Sequence, residues 1–205
     1  MKIDDIINND LTKEIRTFTD FDDVDWPPGT GFLGQHNFSA LNKLYLRKNF
    51  LSIVNNCKAI LEIGVLRDDV NLSSTDVFLK NKNKETFYFG VDMDDRSYLD
   101  DEEKNVFTIK NNSSNIDEIM DFVKSKGVNE FGFIFIDGWH SINQVLDDWR
   151  FTEYLSKDGI VGFHDTNVHP GPKEFINALD TEKYYVDKKC TTLMMDWGIS
   201  FVKRK

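Results

Sequence analysis

Two short stretches carry residue types that could do chemistry. Residues 131–140, FGFIFIDGWH, run from an apolar segment into Asp137 and His140. Residues 160–169, IVGFHDTNVH, run from a shorter one into His164, Asp165 and His169. Asp137, His164 and Asp165, two carboxylates and an imidazole, form a donor set for a divalent cation: oxygen ligands suit Mg, Mn or Ca, and imidazole widens the choice. The structural alternative is that one Asp caps the following helix and His164 is a hydrogen-bonded turn residue. Histidine, with an unperturbed pKa of about 6.5, is the natural proton acceptor at neutral pH. The chain has four histidines, and three of them fall at these two places. His140 is the preferred base and, with Asp137, the candidate catalytic pair. His169, in VHPGP, is either a loop anchor or a reacting group, and His36 belongs to a separate N-terminal segment.

A second set of residues suggests a nucleoside. Asp92 ends the apolar run TFYFGVD, about 28 residues after the end of the run AILEIGV, where an acid can accept hydrogen bonds from ribose hydroxyls. Behind Glu62-Ile63-Gly64 the chain continues VLRDDVNLSST without another glycine. The G-x-G-x-x-G pyrophosphate cradle is therefore missing, which disfavours a dinucleotide. A nucleoside with an amino-acid tail asks less of that loop. Ser73, Ser74 and Thr75, at the start of the next helical run, could bind its carboxylate.

These residues need elements to position them. Strand-like runs occupy 59–65, 86–92, 106–109, 131–137 and 160–163, alternating with helical patterns at 74–81, 115–126 and 141–157. Gly127 and Gly159 are expected to close the last two helices, and Ser141 to open the last. Such alternation predicts a parallel sheet covered on both faces, whose ligands bind beyond the carboxyl ends of the strands. A helix near 172–179 is followed by YYVDKK and WGISFVKR, two closing strands that predict an antiparallel hairpin at the sheet edge. Residues 1–38, containing WPPGTGFLG, form an arm or lid, and residues 39–205 the main domain, opening with a helix from Ser39. On the helix after 137, Asp147 and Asp148 are expected on the solvated face and Trp149 in the core.

Composition narrows the partners. A net charge of −10 argues against a phosphate-backbone footprint and favours a small-molecule substrate over nucleic acid. No segment approaches the roughly 18 consecutive apolar residues of a membrane helix. The opening MKIDDIINND is acidic where a secretory signal would be basic, and Cys57 and Cys190 have neither metal spacing nor disulfide density, so a reducing cytoplasm is expected. The acidic runs 20–25 and 92–103 suit solvated loops.

Taken in order, LEIGV, YFGVD and FIFIDGWHSINQVLDDWRFTEYLSKDGIVGFHDTNVHPGP resemble the class I S-adenosylmethionine-dependent methyltransferases. The likeness is to the small O-methyltransferase-like group with Asp-Gly-x-His and His-Asp strand ends, and spans about residues 58–202. It implies an α/β, Rossmann-like three-layer sandwich with a mostly parallel seven-stranded sheet and an antiparallel C-terminal hairpin. It further implies that Glu62 and Gly64 approach the methionine part of S-adenosylmethionine; the carboxylate of such a tail is what Ser74, at the helix start, could hold. Asp92 would bind the ribose, and Ser113 or Ser114 would lie by the adenine. In metal-dependent relatives acids at the ends of the fourth and fifth strands hold Mg; Asp137 and Asp165 occupy those positions, with His164 where some relatives carry a second acid. The segment 66–72 departs from the family's glycine-rich loop. The expected activity is methyl transfer to a small-molecule hydroxyl. A non-catalytic cofactor-binding protein and a metal-dependent hydrolase or oxygenase are the alternatives. An arm with Trp26, Phe32 and Phe38 would suit a homodimer contact.

Overall fold

The computed structural model of the protein describes residues 57–66, 73–167, 169–187 and 199–205. The expected N-terminal arm and the helix from Ser39 lie outside these residues, as does most of the glycine-poor loop.

Five strands run parallel: β1 (Ala59–Ile63), β2 (Phe87–Asp92), β3 (Val106–Lys110), β4 (Phe131–Ile136) and β5 (Leu155–His164). The last two described strands, β6 (Tyr184–Asp187) and β7 (Ile199–Arg204), pair antiparallel, and β7 is also antiparallel to β5. The sheet order is β3-β2-β1-β4-β5-β7-β6. Strand order therefore reverses between β1 and β4, where a crevice must open at the carboxyl ends.

Helix α1 (Ser74–Asn81) covers one face, and α2 (Ile116–Ser125), α3 (Ile142–Trp149) and α4 (Pro170–Ala178) the other. Side chains in β1 alternate between these layers. Ala59, Leu61 and Ile63 join the core under α2, α3 and α4, whereas Ile60 packs with Phe78 of α1 and with Tyr88, Phe133 and Phe135. By the same period Glu62 faces the α1 side. All five β1 residues are buried, as an apolar central strand covered on both faces requires. Among the described residues no helix is long and apolar enough to cross a membrane.

Helix starts follow the expected chemistry. Ser73 caps α1 by accepting from the Asp76 amide, and Ser141 caps α3 by accepting from the Gln144 amide. Gly127 follows α2 with φ +82°, the left-handed turn that glycine adopts without cost. One helix is shorter than expected. Instead of running to residue 157, α3 stops at Trp149, a 3-10 turn follows over Arg150–Tyr154, and β5 has already begun at Leu155. Tertiary packing overrides helical spacing here: Phe151 and Leu155 are buried, and Leu155 pairs with Phe131 across an irregularity in the β4–β5 ladder. Gly159 is thus a strand residue, lying where a Cβ would meet Leu155 Cγ at 2.6 Å. Helix α4 begins slightly earlier than expected, with Pro170 in its first turn.

Candidate active site

The strand tips meet because β1 ends abruptly. Gly64 turns the chain with φ +85°, and a Cβ there would lie 2.0 Å from the carbonyl oxygen of Asp137. The Asp137 amide donates to Ile63 O at 2.8 Å, and the Gly64 amide to Val91 O at 2.9 Å. No other residue type fits this junction of β1, β2 and β4.

On one side of the junction lies a cleft of about 420 Å³, within the range of small-molecule sites. Gly64, Asp92, Met93, Ser113, Trp139 and Gln144 are among its walls. Trp139 and Met93 leave large apolar surfaces open to solvent, at 55% and 66% exposure. The Asp92 carboxylate accepts from the amides of Val65 and Asp94, each at 2.8 Å, which hold it at the rim. Such a fixed acceptor at the end of a parallel strand could hold vicinal hydroxyls of a ribose.

Glu62 and Ser74 do not line this cleft. Glu62 is fully buried and accepts hydrogen bonds from Ser74 Oγ, from Tyr88 Oη and, at 2.7 Å, from Thr75 Oγ1. The carboxylate that the helix-start hydroxyls hold is therefore the protein's own. Burial pushes Glu62 up to about 8 despite those three donors. Of the two serines after β3, Ser113 lines the cleft, while Ser114 Oγ turns to Asp147 Oδ2 at 3.1 Å.

On the other side of the junction, β4 and β5 deliver a buried cluster. Asp137, His140, His164, Asp165 and His169 come together, as their places at two adjacent strand ends suggested. His164 Nδ1 lies 2.8 Å from Asp165 Oδ1 and 3.3 Å from Asp137 Oδ1. His140 Nε2 lies 2.9 Å from Asp165 Oδ2 and 3.7 Å from Asp137 Oδ1. His169 Nε2 is 3.9 Å from Asp165 Oδ2, and its ring stacks on His140 with centroids 4.1 Å apart. Gly171 permits this: a Cβ on it would meet the His140 carbonyl oxygen at 2.0 Å, so glycine brings the start of α4 against the His140 loop. Asp165 itself adopts φ +60°, a left-handed conformation that Asp tolerates better than most residues.

Despite these short distances His140 Nε2, His164 Nδ1 and Asp165 Oδ1 are buried without a hydrogen bond of acceptable geometry. Buried polar atoms in that condition are rare and ask for an explanation. Donors about 2.1 Å from a common ion are separated from one another by roughly 3.0–3.4 Å, the scale of the contacts seen here. Asp137, His164 and Asp165 each offer a ligand atom within 4.8 Å of the others, and so do His140, Asp165 and His169. The residues present thus fit a divalent cation. Burial alone would discharge both imidazoles, but contact with the Asp137 and Asp165 carboxylates outweighs it: His140 rises to about 9 and His164 well above the usual histidine range. Burial opposes ionisation of the two carboxylates as well, yet the imidazoles hold Asp137 and Asp165 below the ordinary value. His169 is lowered by its own burial and then by His140.

Asp148 corrects the expectation of a solvated helix face. It is 0% exposed, accepting from Ser113 Oγ at 2.6 Å and Gln144 Nε2 at 2.9 Å, and burial pushes it up to about 7. The available signal was its i, i+4 spacing from Gln144 on the helix side that also carries Val145 and Trp149. Trp149 is a core residue, stacked on Phe163.

No family profile matches the chain, and no curated protein does. Solved structures do. The MycE methyltransferase of the mycinamycin biosynthetic pathway, in complex with Mg and S-adenosylhomocysteine, is 16% identical, with a TM-score of 0.54 over 78% of this chain and 48% of its own. The protein therefore spans about half the length of that enzyme. An O-methyltransferase from Bacillus cereus in complex with S-adenosylhomocysteine is 15% identical, with a TM-score of 0.54 over 93% of this chain and 100% of its own. An rRNA methylase from Streptococcus thermophilus is 10% identical, with a TM-score of 0.55 over 79% and 96%. At such identities the likeness is one of architecture, in agreement with the strand order and the closing antiparallel pair: the chain carries the fold of the class I S-adenosylmethionine-dependent methyltransferases.

Proposed function

We propose that the protein transfers a methyl group from S-adenosylmethionine to a hydroxyl oxygen of a small molecule, with a divalent cation at the β4–β5 strand ends. One observation carries this: residues 137–140 serve two sites at once. Gly138 and Trp139 line the nucleoside-sized cleft, while Asp137 and His140 belong to the buried cluster beside it. A methyl donor in the first and an acceptor oxygen at the second would be neighbours.

S-adenosylmethionine would supply a methyl already activated on a sulfonium, with S-adenosylhomocysteine, a neutral thioether, as the leaving group. The chain must then align the acceptor and remove its proton. Gly64 and Asp92 would hold the cofactor, with Ser113 towards the base. Asp137, His164 and Asp165 would hold the cation, whose chemistry there is chelation of acceptor oxygens and a lowered hydroxyl pKa. His140 stands beside that donor set; a cation bound there would lower its raised pKa and leave Nε2 able to take the hydroxyl proton. Trp139, exposed at the cleft mouth, offers a face for the body of the acceptor. The net charge of −10 favours a small molecule over rRNA.

Thermal unfolding with S-adenosylhomocysteine, with NAD as control, each with Mg and with a chelator, tests this. Ligand at about 100 times its dissociation constant stabilises by roughly 2.7 kcal/mol, which raises the midpoint by several degrees in a domain of this size. A shift with S-adenosylhomocysteine and none with NAD is expected. The imidazole-rich cluster favours, as a second reading, a metal-dependent hydrolase or oxygenase, to which metal binding without S-adenosylhomocysteine binding would point.

A further inference from the structure

Asp165 presents its two carboxylate oxygens to different partners. Oδ1 lies 2.8 Å from His164 Nδ1, within the donor set that the methyl-transfer reading fills with a cation. Oδ2 lies 2.9 Å from His140 Nε2 and 3.9 Å from His169 Nε2, two histidines outside that set. His140, Asp165 and His169 each offer a ligand atom within 4.8 Å of the others, as Asp137, His164 and Asp165 do. The cluster therefore contains two donor triads with Asp165 common to both.

The backbone is shaped to assemble the second triad. Asp165 is 4% exposed and takes φ +60°, and the His169 amide donates to the Asp165 carbonyl at 3.1 Å, so the turn brings His169 back over the carboxylate that precedes it. Gly171 admits the His140 loop against the same turn, where the rings of His140 and His169 stack. His140 Nε2 is buried there without a hydrogen bond of acceptable geometry, a condition that a bound ion would relieve. Donors about 2.1 Å from one ion lie roughly 3.0–4.2 Å apart, from adjacent to opposite positions, close to both contacts of Asp165 Oδ2. Asp137 Oδ1, 3.7 Å from His140 Nε2, adds negative charge beside them.

We propose that the β4–β5 strand ends hold a second cation, at His140, Asp165 and His169, with the Asp165 carboxylate bridging it to the first through its two oxygens. Paired cations of this kind stand about 3.5–4 Å apart. Two imidazoles against one carboxylate favour a nitrogen-seeking ion such as Zn2+ over Mg2+. The placement rests on the geometry of the cluster, whereas its consequence rests on the methyl-transfer reading. An ion at the second position occupies His140 Nε2, the atom that reading uses as proton acceptor. Zinc there would hold transfer off, and its departure would release the base.

The test is equilibrium dialysis of the full chain, without an affinity tag, against Zn2+ and separately against Mg2+, with bound metal counted by atomic absorption. The wild type should hold about two zinc ions per chain and no more than about one magnesium ion. His169→Ala should weaken the second zinc by more than about a hundredfold and leave the magnesium count unchanged, which also shows that the variant is folded. His164→Ala should keep about one zinc ion, at the second position, and covers the case in which His169→Ala fails to fold. One zinc ion in the wild type, two in His169→Ala, or none in His164→Ala overturns the second position. Two magnesium ions in the wild type overturn its preference for a nitrogen-seeking ion. The thermal shift with S-adenosylhomocysteine separates the two readings. Two zinc ions without that shift overturn methyl transfer and leave the paired centre; the shift with a single zinc ion does the reverse.

Discussion

Glu62 and Asp165 are both buried carboxylates near the carboxyl ends of parallel strands, yet their surroundings differ in kind. Glu62 is met by three hydroxyls, each donating a hydrogen bond, on the α1 side of the sheet. Asp165 faces three imidazoles at short range, while its Oδ1 and the nearest nitrogens of His140 and His164 remain without hydrogen bonds. A satisfied buried acid fastens one element to another; a cluster of convergent, unsatisfied donors is kept for something that the chain does not itself contain. The α1 side is therefore held by its own hydrogen bonds, and the β4–β5 side is where the proposed chemistry would lie.

The sharpest way to break this contrast is to remove the donors on the active side. Asp137→Asn with Asp165→Asn should weaken Mn2+ binding, followed by equilibrium dialysis, by more than about a hundredfold. Glu62→Gln should leave it within a few-fold. Equal losses in the two proteins would mean that the cluster is structural.

Gly64→Ala should disturb both regions together, because the new Cβ would collide with the Asp137 carbonyl at a positive φ. A loss of about 2–4 kcal/mol in urea unfolding is expected, accompanied by loss of the S-adenosylhomocysteine shift. Retention of full stability would show that the β1–β4 junction is looser than described.

Glu62→Ala leaves the hydroxyls of Ser74, Thr75 and Tyr88 facing a small cavity. It should cost on the order of 2–3 kcal/mol in the same unfolding experiment, with metal binding retained. A neutral outcome would remove Glu62 from its supporting role.

The pH dependence separates the two regions with the smallest effect. Glu62 is raised in the folded state to about 8, so between its ordinary value and about 8 the folded chain binds the extra proton and stability falls as pH rises. Asp148, at about 7, adds the same sign. His140 is raised to about 9, so its contribution is intact below the unfolded histidine value and is lost only as pH climbs towards 9. Between about pH 5 and 6.5 the fall should therefore come from Glu62 and Asp148, at no more than about 1.4 kcal/mol per pH unit from each, and be opposed by His169, whose lowered value makes its contribution rise with pH below the unfolded histidine value. Glu62→Gln should lessen the slope over that interval and leave in place the fall above pH 8 that His140 and His164 carry. An unchanged slope below pH 6.5 would mean that Glu62 titrates normally.

Much of this architecture was legible in the chain because it is local. Apolar runs ending in Asp92, Asp137 and Asp165 marked strands and their tips, and a parallel sheet places all such tips on one edge. Ser73, Ser141 and Gly127 marked helix ends through backbone chemistry that involves only a few neighbouring residues. The convergence of Asp137, His140, His164 and Asp165 followed from the same rule.

What only the tertiary structure decided depends on partners distant in sequence. The end of α3 at Trp149 was set by the pairing of Leu155 with Phe131, not by the helical spacing of residues 150–157. The burial of Asp148 was set by Ser113, 35 residues away, and the withdrawal of Glu62 from the cleft by Tyr88, 26 residues away. Periodicity assigns a side chain to a face of its element; which group waits on that face is fixed by the neighbour that packs there. The amino-acid sequence by itself therefore determined the sheet, its carboxyl edge and the acids and histidines at the strand tips. Tertiary packing decided which of those carboxylates are satisfied by hydrogen bonds and which remain available to a ligand, because satisfaction depends on distances and angles between elements that no local pattern encodes.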